Sequence, residues 1–346
     1  MPAVATRPAI LLNMVRPPGR GKLCASTGSC QNPPMLAAAT QSLAKPGDHV
    51  LLAGCGGGYD VFGAVPLLVS LLDVGCEVSL ASLSFTYLNG LDGTKGVPGV
   101  PNLYAVPPEA ATADAYCPEA WLARFCRERL GRDVPVWGFD KTGVQPLFRA
   151  YQHLVERYEI DAIVLLDGGI DALLRGDESS LGTPAEDLAS LLAVRRLPLA
   201  NKTMCCVGLG AELRDGICHE QVFHRIAELT RREAFLGATA LVRQTRPGEL
   251  YCDAIEYAFK HQAEQKRSHV HKIVRAATHG EYGADGPHIW VSPLLSLYWF
   301  FRLDDVADTH LFLNDLWQTE TIWDVTAAVE AARKAVTIRD RTSIPI

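Results

Sequence analysis

No apolar run in the sequence approaches the ~20 residues that a helix needs to cross a bilayer; the richest, Ile289 to Phe301, is too short. There is no Cys-x-x-Cys pair, which excludes the usual zinc and redox spacings although ten cysteines are scattered along the chain. Net charge is small. With 33 Lys and Arg against 39 Asp and Glu it is −6, whereas a nucleic-acid binder carries a basic domain or stripe. A G-x-S-x-G elbow, a Walker A sequence and an H-E-x-x-H pair are also missing, removing three common catalytic signatures. The opening MPAVATRPAILLNMVRPP has a very short, proline-bounded apolar stretch rather than a signal-peptide arrangement. These absences lead us to expect a soluble protein of the reducing cytoplasm, with a small-molecule ligand as partner and neither membrane nor nucleic acid. Self-association stays open.

What is present is ample material for a core. The chain has 346 residues, 48% hydrophobic and 21% charged, enough to bury a large core without metal or disulfide staples. Short apolar runs read as buried strands: Val50 to Ala53, Val78 to Ala81, Val134 to Trp137, Ala162 to Leu166, Thr203 to Val207 and Ile273 to Ala277. Between them lie helical patterns such as Leu147, Tyr151, Leu154, Val155 and Tyr158, and Val222, Ile226 and Leu229. Continuous apolar strands alternating with amphipathic helices predict a doubly wound, mostly parallel, Rossmann-like α/β sheet with helices on both faces. We place an N-terminal extension at 1–46, the α/β domain at 47–306 and a C-terminal helical segment packed on it at 307–346. Residues 86–118, rich in Gly and Pro, read as a long loop insertion after the second strand.

In open parallel sheets ligands sit beyond the carboxyl ends of the strands, and the segments that follow the strands here are rich in glycine and carboxylate. After the first comes GCGGGYDVFGA. Gly56, Gly57 and Gly58 would bring bare N–H groups close to an anion at a helix start. Asp60 is placed either to cap that helix or to hold a ribose hydroxyl or a metal. A dinucleotide or S-adenosylmethionine site also calls for an acid after the second strand, where Ser82, Ser84 and Thr86 stand instead. After the fourth apolar run comes DGGIDALLRGDESSLGTPAED. Asp167, Asp171, Asp177 and Glu178, with Arg175, are suited to hold Mg²⁺, bind a sugar or act as acid and base around Gly168 and Gly169. Thr183 and Glu186 form a capping-box pattern with Pro184 at the first helical position.

After the fifth run Gly208 and Gly210 free the backbone ahead of Glu212, Asp215 and His219, the last read mainly as structural. Lys141 and Thr142 could meet an anion at the third strand end. His269 and His271 would share a face on a strand, a metal-like spacing that collapses if the region is helical. His279, after the expected Ile273–Ala277 strand, is the candidate catalytic histidine. Ser292-Pro293 is expected to open an apolar helix. Cys55 is either a thiol acidified by a helix start or a small filler, and Cys24 and Cys30 could close a clip.

Taken in order, GCGGGYDVFGA, LLDGGIDALLRGDESSLGTPAED, VGLGAELRDG and SPLLSLYWFFRLDDVA resemble an uncharacterised family catalogued as domain of unknown function 1152, over about Gly47 to Val306. The resemblance implies a Rossmann-like α/β fold and a site at the strand ends, and it favours a glycine where Cys55 stands; it carries no reaction. Our expectation is an enzyme acting by hydrolysis or group transfer on a small phosphate-bearing or nucleotide-like molecule. Gly56, Gly57, Gly58, Asp60, Gly168, Gly169, Gly208, Gly210 and Glu212 would bind the ligand, and Asp167, Asp171, Arg175, Asp177, Glu178 and His279 would do the chemistry. The cofactor is unassigned, with Mg²⁺ the ion the carboxylates suit. The alternatives are an S-adenosylmethionine-dependent methyltransferase and a non-catalytic metabolite-binding protein.

Overall fold

The computed structural model describes residues 42–286 and 288–344. Cys24, Cys30 and nearly all of the expected N-terminal extension fall outside that range. In chain order the strands are β1 His49–Gly54, β2 Glu77–Leu83, β3 Lys95–Val97, β4 Val100–Ala105, β5 Val136–Phe139, β6 Ala162–Asp167, β7 Asn201–Val207, β8 Phe235–Ala240, β9 Gly283–Ala284, β10 Trp290–Val291 and β11 Leu297–Arg302. The α-helices are α1 Val65–Asp73, α2 Pro118–Phe125, α3 Val144–Tyr158, α4 Pro184–Arg195, α5 His219–Arg231, α6 Arg246–His261, α7 His269–Thr278, α8 Leu303–Asp308 and α9 Ile322–Arg333.

Nine strands form one mixed sheet in the order β3-β4-β5-β2-β1-β6-β7-β11-β8. Its five central strands, β5-β2-β1-β6-β7, run parallel, and antiparallel strands extend it on both sides. Period-two alternation within buried strands sends side chains to opposite faces. Val50 and Leu52 enter one apolar cluster, Leu51 and Ala53 the other. Hydrophobic content on both faces of β1 is why it reads as an unbroken apolar run. From β1 the chain proceeds to β2 on one side, and from β6 to β7 on the other, so the segments after β1 and β6 diverge at neighbouring strand ends. A crevice opens there.

Three segments differ from the sequence reading. Residues 86–118 are not a bare loop: β3 and β4 pair as a hairpin and β4 closes one edge of the sheet against β5. The apolar run after Ser292 is a short 3-10 turn, Pro293–Ser296, followed by strand β11 rather than a helix. Ile273–Ala277 lies in helix α7, not a strand. The Ser268 side chain caps α7 by accepting from the His271 N–H at 3.2 Å. Val270, Ile273, Val274 and Ala277 also recur at helical spacing. Among the described residues no helix is long and apolar enough to cross a membrane, and the eight described cysteines are unpaired and buried.

Because α7 is a helix, His269 and His271 diverge. His271 turns into the core, where Nε2 meets the Tyr59 carbonyl at 2.9 Å and Nδ1 meets the Tyr251 hydroxyl at 2.7 Å. A carbonyl only accepts, so Nε2 carries the proton and Nδ1 accepts from Tyr251. This imidazole ties α6 and α7 to the turn after β1. Burial pushes His271 down to about 4. The unfolded chain therefore binds a proton there that the folded chain refuses, and stability is lost as pH falls from about 6.5 through about 4. The loss attributable to His271 is about 3 kcal/mol. Denaturant unfolding of the wild type and His271→Gln across that window should show the variant gaining stability relative to the wild type as pH falls from about 6.5 to about 4. Equal slopes would assign the loss to other groups.

Candidate functional site

The crevice beyond β1 and β6 encloses about 430 Å³ and takes its walls from seven separate stretches of chain, two of which contribute only Phe85 and Lys141. The turn after β1 supplies Gly56, Gly57 and Asp60. The end of β6 supplies Asp167, Gly168 and Asp171. The first turn of α4 supplies Thr183, Glu186 and Asp187, the turn after β7 supplies Glu212 and Arg214, and the start of α7 supplies Ser268 and His269. Sequence stretches far apart thus converge at one rim of the sheet.

The convergent groups are carboxylates. Asp167, Asp171 and Asp187 are buried, while Asp60 and Glu212 are partly exposed. Small neighbours make the crowding feasible. A Cβ at Gly168 would come within 2.7 Å of an Asp60 oxygen, one at Gly169 within 2.6 Å of the Glu212 carboxylate, and one at Gly56 would collide with Asp187. Gly57, at φ +115°, also turns the chain back against the Leu83 carbonyl. The glycines therefore make room for acids.

Backbone donors orient four of the five. Asp60 Oδ2 accepts from the Gly56 N–H at 2.7 Å and the Gly57 N–H at 3.1 Å. Asp167 Oδ2 accepts from the Ala172 N–H at 3.2 Å. Asp171 Oδ2 accepts from the Thr183 N–H at 2.9 Å and the Thr183 hydroxyl at 3.3 Å. Glu212 Oε2 accepts from the Ile170 N–H at 2.7 Å. Asp187 is the exception, since its Oδ2 is buried with no hydrogen-bond partner. Such an orphan carries a desolvation penalty that a ligand can relieve.

These contacts revise the role expected of the glycines. The Gly56 and Gly57 N–H groups, expected to cradle an anion, are already given to Asp60. Gly58 lies under Phe85 and Tyr116. Gly208 packs on α7 at Val270, and Gly210 faces His219. The last two shape the turn that carries Glu212 but do not line the crevice.

Positive charge is confined to the rim. Lys141 lies 2.7 Å from Glu186 and 4.1 Å above the Phe85 ring, and Arg214 pairs with Asp215 at 3.5 Å. Thr142 donates to the Glu320 carbonyl instead of facing an anion. Among the described residues no Lys or Arg forms an ion pair with Asp60, Asp167, Asp171, Asp187 or Glu212. Burial, and then mutual repulsion, drives Asp167, Asp187 and Glu212 well above the usual carboxylate range. Burial also raises Asp171, against the Thr183 N–H, and takes Asp60 up to about 7, against the Gly56 N–H. Asp60, Asp167 and Asp187 each bring one oxygen into a set lying within 4.8 Å of one another. An octahedral ion with ~2.1 Å bonds spaces its ligand oxygens ~3–4 Å apart, so a small inward movement of these side chains would bring the three oxygens onto one ion.

Other expected site residues lie elsewhere. Arg175 pairs with Asp177 at 2.5 Å, and the Glu178 carboxylate accepts from the Arg175 and Gly176 N–H groups at 3.0 and 2.8 Å. Arg339 then donates to Glu178 at 2.7 Å and meets Asp177 at 3.0 Å. Gln221 holds the Arg339 and Asp340 carbonyls. This cluster fastens the C-terminal tail and does not line the crevice. His279 ends α7, with Nδ1 on the Arg275 carbonyl at 2.8 Å, and borders a separate depression beside Cys252 and Arg243. Helix α4 does start at Pro184, but Thr183 makes no side-chain cap: its hydroxyl goes to Asp171, and Glu186 goes to Lys141. Cys55 is a buried filler, its thiol pushed far up by burial and by Asp187.

Asp187 is the crevice carboxylate that the sequence reading passed over, and Phe85, Arg214 and Ser268 were missed with it. The available signal was a carboxylate on the otherwise apolar face of α4, among Leu188, Leu191 and Leu192, which are all buried. His269 was weighed only as one half of a pair with His271.

A family model described as a protein of unknown function (DUF1152) matches residues 122–337, and the chain belongs to that family. The match includes β6, α4, the turn after β7 and α7, while the glycines after β1 precede it. No curated protein and no solved structure matches the chain.

Two outcomes follow from this geometry. All five carboxylates titrate higher in the folded chain, so it binds more protons than the unfolded chain above about pH 4, and stability falls as pH rises through the raised values. In chelator, Asp187→Asn is expected to raise the melting temperature by ~2 °C or more at about pH 8, with the gain shrinking toward about pH 5. A lower melting temperature at both would contradict electrostatic crowding. By contrast, Arg339→Ala should speed amide exchange in residues 337–344 while leaving residues around Asp187 protected. Loss of protection in both would mean that the cluster also supports the crevice.

Proposed function

We propose that this DUF1152 protein is an enzyme whose crevice takes up a divalent cation, Mg²⁺ or a close relative. It would act on a small phosphate-bearing or nucleotide-like molecule by hydrolysis or group transfer. The observation that carries this reading is the carboxylate cluster that, among the described residues, has no cationic partner and leaves Asp187 Oδ2 orphaned. Isolated buried carboxylates either protonate or find a cation. An oxygen-only donor set without histidine or thiolate suits hard ions over zinc or copper.

In this account Asp60, Asp167 and Asp187 hold the ion, which polarises a phosphoryl oxygen and offsets its charge. No anion could approach five carboxylates unaided, so cation and phosphate enter as a linked pair. Lys141 and Arg214 at the rim would meet the remaining phosphate charge. Asp171 and Glu212 stand close enough for their carboxylates to share a proton. One of such a pair keeps the proton, which suits them to pass a proton between attacking and leaving groups. We read the parallel centre as doubly wound and Rossmann-like, with the ligand at the switch point between β1 and β6. S-adenosylmethionine transfer is disfavoured, since the Gly56 and Gly57 donors are spent on Asp60 and no acid follows β2.

Calorimetric titration with Mn²⁺ and Mg²⁺ tests the cation. Ligands must shed protons to bind it, so the apparent affinity should rise from about pH 6 to about pH 8, with proton release. Asp187→Asn should weaken binding by more than the ~10–100-fold typical of indirect changes. Phosphate release from a panel of nucleotides and sugar phosphates then tests the reaction. Cation binding without turnover would favour the metabolite-binding reading, and absence of cation binding would remove the proposal.

A further inference from the structure

On the other side of the first turn of α4 lies a second chamber of about 460 Å³, bounded by the segment 179–186 and by α9. Thr183 and Glu186 line both spaces. The two are therefore neighbours across a wall one helical turn thick. Their linings differ in kind. The crevice is polar and acidic. The chamber is an open depression floored by buried Leu181 and Val329 and walled by Pro184 and Ala185, with Ser179, Ser180 and Thr326 also in its lining.

Of the three charged residues around the chamber, Arg333 and Glu186 are committed elsewhere and Glu330 is exposed on α9. Arg333 donates to the Gly176 and Glu178 carbonyls at 3.4 and 3.0 Å, leaving its alkyl stem for the chamber. Glu186 is turned to Lys141. Thr183 spends its N–H and hydroxyl on Asp171, which leaves its methyl group and backbone as the threshold. A ligand anchored at the carboxylates meets an apolar space directly beyond that threshold.

We infer that the substrate is amphiphilic: a phosphate head held in the crevice joined to a compact apolar arm that crosses Thr183 and lies in the chamber between α4 and α9. The inference rests on the cation-and-phosphate reading of the crevice and adds the class of molecule. It separates a lipid-like or alkyl phosphate from a nucleotide, whose sugar and base would gain little from Leu181, Pro184, Ala185 and Val329.

The test is calorimetry of the full chain with Mn²⁺ and methyl, hexyl and octyl phosphate in turn. A methylene removed from water is worth about fourfold in affinity when fully buried. We expect hexyl phosphate to bind at least about tenfold more tightly than methyl phosphate. Ala185→Phe and Thr326→Phe, each filling the chamber from a partly exposed position, should flatten the series while leaving methyl phosphate unchanged. Unaltered melting temperatures would certify the variants' folding. Methyl phosphate binding that depends on Mn²⁺ but does not strengthen along the series would overturn the amphiphilic substrate and spare the cation reading. A series that strengthens equally in both filled variants would place the arm elsewhere and overturn it too. No Mn²⁺-dependent binding of any phosphate would end both.

Discussion

Five carboxylates meet at one end of the central sheet and, among the described residues, no lysine or arginine pairs with them; much of the local structure follows from accommodating them. A charge removed from water must be neutralised by a proton, a counter-ion or convergent donors. The fold supplies donors to Asp60, Asp167, Asp171 and Glu212 from backbone N–H groups. It supplies none to the inner oxygen of Asp187. An arrangement kept only for stability would gain by replacing these acids with apolar or amide side chains. Their presence in so small a space is intelligible if something positive occupies it.

The sheet provides the means. Parallel strands buried on both faces are rigid, and their carboxyl ends deliver the following residues to a common rim. At β1 and β6 the chain leaves in opposite directions, opening a gap that side chains rather than backbone must fill. Glycine at 56, 168 and 169 lets acids from other segments press against the main chain there. His271, gripping the Tyr59 carbonyl, fixes the turn after β1 from behind, and through α7 it also fixes the position of His269 at the crevice wall. Positioning and chemistry are therefore separable. The core holds the rim, and the rim holds the charges.

Much of this was legible in the sequence. The central strands β1, β2, β6 and β7 are continuous apolar runs, and α3 and α5 carry unambiguous helical spacing. The position of the candidate crevice followed from the strand ends. What failed were segments whose pattern serves two periods. HVHKIVRAAT is β-branched enough for a strand but is capped by Ser268 and places four apolar residues on one helical face. LYWFFR is long and apolar enough for a helix, yet its aromatics pair as β11 between β7 and β8. Charge clusters were equally ambiguous. Arg175, Asp177 and Glu178 stand close to Asp171 in sequence, but the two carboxylates are tied to Arg339, more than 160 residues away, and no local pattern reveals that. Asp187 was hidden for the opposite reason: the capping pattern of Thr183 and Glu186 accounted for the helix start and drew attention from the acid beside it.

The most direct measurement is anomalous diffraction from crystals grown with Mn²⁺ near neutral pH. The account predicts a strong peak bounded by Asp60, Asp167 and Asp187, bonded to the oxygen of Asp187 that otherwise has no partner, and absent in crystals of Asp187→Asn. A map with no peak in the crevice, and with the Asp60, Asp167 and Asp187 oxygens paired to one another through protons, would contradict it.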